Sequence, residues 1–160
     1  MWHTVRIDVQ ELISLEQATK DCSFDSAIVK RFLKVYDIPA EDAHALLVDV
    51  KQLLWISHKR RHELQRETPI LYQQYAMDEM WHNFILFTKE YTKYCESLYG
   101  HYLHHTPAVG EDDESISEDL LRENLLYIEK HLGLEVVNRW YIEWPEKYSK
   151  QTLISKIIAL

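Results

Sequence analysis

The chain has 160 residues, 46% hydrophobic and 28% charged, with five Trp, ten Tyr and a formal net charge of −8. That length can bury one sizeable core, and that aromatic content excludes a disordered chain. The acidic balance, without a long basic block, excludes nonspecific nucleic-acid binding, which needs Lys and Arg to displace counterions from phosphates.

No apolar run approaches the roughly 20 residues of a membrane-spanning helix. The opening "MWHTVRIDVQELIS" has neither the basic start nor the apolar stretch of a signal peptide. Cys22 and Cys95 make no disulfide framework and no Cys-x-x-Cys pair. The expectation is a cytoplasmic protein with reduced thiols and no membrane partner. Three Gly and four Pro in the whole chain predict long helices joined by few loops.

Residues 1–14 form an arm of two-fold character: "VRIDV" alternates like a strand, and "VQELISLEQ" has helical spacing. Ile28, Val29, Phe32, Leu33 and Tyr36 recur at helical spacing and predict a helix over about 25–35, stopped before Pro39. The longest candidate covers about 40–66. Pro39, Glu41 and Asp42 suit its start, because proline lacks the N–H that is orphaned there and acids suit the positive end of the dipole. Its apolar stripe runs Ala43, Leu46, Leu47, Val50, Leu53, Leu54. Val48, Trp55 and Ile56 fall outside it, so the middle is expected to be buried on more than one side.

After a break at Thr68–Pro69, one helix is expected over about 76–99, ended by Gly100. An acidic loop, 106–116, follows. Ser117 with Glu118 and Asp119 starts a further helix that runs to Gly133. A helical or mixed tail is interrupted by Pro145. The reading is an all-α single domain of about five helices spanning 1–160.

The chemistry concentrates in "YAMDEMWHNFILFTKEYTKYCESLYGHYLHHTP", residues 75–107. On a helical wheel Met77, Met80, Trp81, Phe84, Phe87, Tyr91, Tyr94, Cys95 and Leu98 share one broad face, with Cys95 near its centre as a buried, inert thiol. Asp78 and His82, four residues apart, lie on its flank between Ile85 and Leu86. A carboxylate and an imidazole among apolar groups need partners, since burial without them costs about several kcal/mol. In one reading they bond each other and brace the loop after Gly100. In the other they reach a divalent metal, zinc or iron, with His104 or His105 completing the set.

Other spacings lead less far. Glu41/His44 and Glu79/His82 both match the Glu-x-x-His of carboxylate-bridged di-iron bundles, yet no further carboxylates stand at suitable positions. His58 and His62, also i, i+4, are second-rank candidates that could approach Asp78 and His82. No Gly-rich phosphate loop or nucleophile elbow is present, which leaves nucleophilic catalysis without support.

Asp78, Glu79, Trp81, His82, Ile85, Leu86, Thr88, Tyr91, Cys95, Gly100, His104, His105 and Pro107, in this order and spacing, resemble the glycine-rich domain-containing protein-like family. The resemblance covers about 33 residues, and "VKRFLKVYDIP" fits an upstream segment more loosely. It implies a small helical module in which Asp78, His82, His104 and His105 cluster; His101 lies outside the pattern. Three glycines in all mean that the glycine-rich tracts of longer members, and the RNA-related roles attached to them, do not carry over. Three functions stay open: a metal site of undefined activity, a protein-interaction module braced by a hydrogen-bond network, and a small-molecule pocket lined by Trp81, Tyr91, Tyr99 and Tyr102.

Overall fold

Capping chemistry sets where the chain starts and stops its helices. The computed structural model describes residues 12–106 and 116–159; the strand-like stretch of the N-terminal arm and most of the acidic loop, Pro107 included, lie outside them. In α1 (Leu15–Thr19), Ser14 and Gln17 accept from each other's backbone N–H, a complete capping box. Helix α2 (Asp25–Val35) ends as Tyr36 becomes extended ahead of Pro39. Helix α3 (Ala40–Leu64) begins behind Pro39 and stops at Gln65, which is left-handed at φ 54°. These bounds agree with the expected 25–35 and about 40–66.

The single helix expected over 76–99 is two. A 3-10 turn (Tyr72–Gln74) leads into α4 (Tyr75–Ile85), and α5 (Thr88–Tyr99) follows after a break. Phe87 leaves helical geometry (ψ 66°) and its N–H bonds the Phe84 carbonyl three residues back. The break re-aims α5 so that Tyr91 and Tyr94 both meet Phe84 edge-on, at ring-centroid distances of 5.0 and 5.3 Å. Leu86, expected on an apolar flank, is instead exposed at the bend.

Helix α6 (Glu118–Leu132) is capped by Ser117 and closed at Gly133, as expected. The tail begins as continuous helix of changing pitch, α7 (Leu134–Asn138), a π turn (Arg139–Glu143) and α8 (Trp144–Lys147), and after a break at Tyr148–Ser149 ends in α9 (Lys150–Ser155), capped by Ser149. The wide turn falls just ahead of Pro145, whose ring and missing N–H do not fit an ordinary turn. The class is therefore all-α, with more helices than about five, because the 76–99 helix and the tail are both subdivided. Among the described residues there is no strand, only an isolated bridge between Tyr36 and Ile157, and no helix is long and apolar enough to cross a membrane.

Helix α3 is the hub. It packs on α1, α2 and α4, burying Leu46, Leu47, Val50, Leu53, Leu54 and Ile56 against Ile28, Phe32, Met77, Met80 and Phe84. It is buried on more than one side, and its buried polar side chains tie it to its neighbours. Asp49 accepts from Arg139 Nε and Nη2 and from Trp144 Nε1. Lys51 donates to Asp25 and to the Lys20 carbonyl. Arg60 donates to Asn124.

Candidate metal centre

Two elements build the site. Helix α4 presents Asp78, Glu79 and His82 on one side. Gly100, left-handed at φ 77°, then turns the chain back so that the extended segment after it crosses over α4. Trp81 Nε1–H donates to the Tyr91 hydroxyl (3.0 Å), and that hydroxyl donates to the Leu103 carbonyl (2.6 Å). This relay fixes the returning segment. It sets the His105 ring on the Trp81 indole, with centroids 3.9 Å apart.

Three donor atoms then face one another. His105 Nε2 is 2.7 Å from Asp78 Oδ1 and 2.9 Å from His82 Nε2, and His82 Nε2 is 3.7 Å from Asp78 Oδ2. Asp78, His82 and His105 each offer one ligand atom, all within 4.8 Å of one another. The His105 side chain is 3% exposed and that of Asp78 9%, whereas His82 is 36% exposed and opens the group to solvent.

The proton count is short. The close pair of imidazole nitrogens is a hydrogen bond only if one Nε2 carries a proton and the other a lone pair. Asp78 Oδ1, although 2.7 Å from His105 Nε2, has no aligned hydrogen bond among the described residues, and neither has His105 Nδ1. Two ligand atoms each about 2.1 Å from a metal lie about 3.4 Å apart at the tetrahedral angle and about 3.0 Å apart at 90°; the 3.7 and 2.9 Å spacings lie near these values, and the 2.7 Å one is shorter than both.

A second layer orients His82. Its Nδ1 faces Glu79 Oε1 at 3.4 Å, and Glu79 Oε2 accepts from the Tyr36 hydroxyl at 2.9 Å. Burial, and then the bond to Glu79, push the Tyr36 pKa up, so the hydroxyl stays a donor. In the tautomer with the proton on Nδ1, that proton faces the carboxylate and Nε2 carries the lone pair, the arrangement of carboxylate–histidine pairs in metal sites. Tyr36 was not among the sequence candidates, and Glu79 entered only through its Glu-x-x-His spacing to His82.

His104 lies outside the group. It is exposed, with its ring 4.7 Å from that of Tyr102. His104 is adjacent to His105 in an irregular segment, but of the two it is the His105 ring that meets Trp81, Asp78 and His82. His58 and His62 do not reach Asp78 and His82 either. The His58 ring lies 4.8 Å from Tyr99 and 5.3 Å from His101. His44 faces Asp21 at 4.0 Å, and among the described residues Glu41 joins no metal-competent group, so the di-iron spacing has no counterpart. Cys95 is fully buried, and burial pushes its thiol pKa up, in keeping with an inert thiol.

A family model described as UCP032817-like matches residues 15–134, three quarters of the chain, and the chain belongs to that family. This corrects the resemblance to the glycine-rich domain-containing protein-like family: the matched model is another, and it takes in α1 to α6 rather than the 33 residues around Asp78 alone. No curated protein and no solved structure matches the chain.

Proposed function

We propose that this member of the UCP032817-like family is a metalloprotein holding one divalent cation on Asp78, His82 Nε2 and His105 Nε2. The observation that carries the reading is the convergence of three donor atoms while Asp78 Oδ1, buried, has no aligned proton. A cation at their common focus gives each a partner and offsets the cost of a carboxylate buried against imidazoles. Two imidazoles and a carboxylate with open positions suit zinc or ferrous iron. Zinc there would supply an activated water for hydrolysis, and iron an open position for oxidation, so the metal decides the reaction class.

Metal analysis of protein purified without a His tag tests this. One equivalent of zinc or iron is expected in the wild type, and its loss in Asp78→Asn and His105→Ala. Absence of stoichiometric metal, together with unchanged zinc affinity in His82→Ala, overturns it.

A second reading, a structural brace within an interaction module, is favoured by one observation. The 2.9 Å imidazole contact and the Trp81 stack together pin the segment after Gly100. The brace predicts that His82→Ala lowers the melting temperature and that a chelator leaves the wild type unchanged. The metal centre predicts that the chelator itself lowers it.

A further inference from the structure

A groove of about 400 Å³ lies between the C-terminal half of α3, the segment 67–70 and the segment 103–106. Its volume is in the range that holds a small molecule. Pro69, Ile70 and Leu103 give it a half-buried apolar side, Leu54 and Trp81 are buried behind it, and His58, Arg61 and Glu67 supply its polar and charged lining. Arg61 is 67% exposed and, among the described residues, meets a carboxylate through Nε alone, 3.8 Å from Glu67, with its planar Nη edge turned to no other described acid. His58 makes no side-chain hydrogen bond among the described residues.

Two further lining residues carry buried polar atoms without a partner among the described residues, Thr68 Oγ1 and His105 Nδ1. The His105 side chain is 97% buried, so an unpaired ring nitrogen there is costly unless a ligand or water meets it. Donors thus gather beside the apolar side of the groove on a chain whose net charge is −8, and Glu67 is the one acid among the described lining residues.

We infer that this groove binds a small organic anion: a carboxylate or phosphoryl group pairs with Arg61 and His58 while an apolar body lies against Ile70 and Leu103. Guanidinium and carboxylate or phosphate match in geometry, and the apolar side selects against bare inorganic ions. Binding does not require the metal centre. Because His105 and Trp81 belong to both, an anion in the groove lies against a candidate ligand of the metal.

NMR titration of the full ¹⁵N-labelled chain with benzoate, phenyl phosphate and benzyl alcohol tests the inference. The Trp81 indole and Leu103 amide signals are expected to move with at least one of the two anions. Which anion binds more tightly distinguishes a carboxylate from a phosphoryl ligand. Benzyl alcohol, of similar shape and uncharged, is expected to bind about tenfold more weakly, the worth of one charge-assisted hydrogen bond. Arg61→Gln, at an exposed position, should remove that preference, whereas Asp78→Asn should keep it even if it abolishes metal binding. The inference is overturned if neither anion moves these signals, if benzyl alcohol binds as well as the anions, or if Arg61→Gln leaves anion affinity unchanged. Failure of the metal reading shows separately, in the metal content of Asp78→Asn.

Discussion

At the scale of single residues, Glu79 decides how well His82 can serve. Its carboxylate holds the Nδ1 edge of the ring and is itself held by Tyr36. Glu79→Gln should weaken zinc or ferrous binding by about 10–100-fold, the usual effect of an outer-shell partner, with the fold retained. Competition against a chelator measures it. Asp78 and His82 were legible in the sequence because an i, i+4 polar pair on an apolar helix has to find partners. The role of Glu79 was not, because its spacing to His82 pointed to a di-iron bundle rather than to a partner behind the ring. The choice of His105 over His104 was not legible either, since it depends on how the chain leaves the Gly100 turn. His58 offers a test of a different kind. Burial first, then His101, His62 and Arg61, hold its pKa below the ordinary value. The folded chain therefore takes up fewer protons there than the unfolded chain. That share of stability is complete above about pH 6.5 and is lost as pH falls below it. The melting temperature of the wild type should fall more steeply than that of His58→Gln between about pH 7.5 and 5.5.

At the scale of elements, the turn at Gly100 delivers His105. At φ 77° an L-residue is strained, yet an added Cβ would meet nothing within 4 Å, so the cost of a side chain there is in the backbone alone. Gly100→Ala should cost about 1–2 kcal/mol, a fall of about 2–8 °C in melting temperature, with Gly100→Asn between it and the wild type. A drop near zero would mean that the segment after α5 is not held in this turn. Elements with strong local signals were read well from the sequence: Pro39 before α3, Ser117 before α6, and glycines after α5 and α6. The break at Phe87 carries no Gly or Pro. It arises because Phe84, Tyr91 and Tyr94 pack together only when α5 is re-aimed, a tertiary cause that helical periodicity does not register. The tail was ambiguous for a related reason, as a π turn absorbs Pro145 within a continuous helix.

At the scale of the whole molecule, α3 joins the site-bearing elements to the C-terminal segment, and Asp49 is the main tie. It is 1% exposed and takes three hydrogen bonds, from Arg139 and Trp144, about ninety residues away in the chain. Asp49→Ala leaves an arginine and a buried indole N–H without their acceptor and should cost about 3–5 kcal/mol, read from urea unfolding. A loss under about 1 kcal/mol would show that the tail is held by its apolar contacts alone. This frame carries the central claim, that Asp78, His82 and His105 together hold a divalent cation. The most direct measurement is a crystal structure of natively purified protein with anomalous data across the zinc and iron edges. The account predicts one anomalous peak about 2.0–2.2 Å from an Asp78 oxygen and from Nε2 of both histidines. No peak there, with the two imidazoles still in mutual contact after a zinc or iron soak, would contradict it.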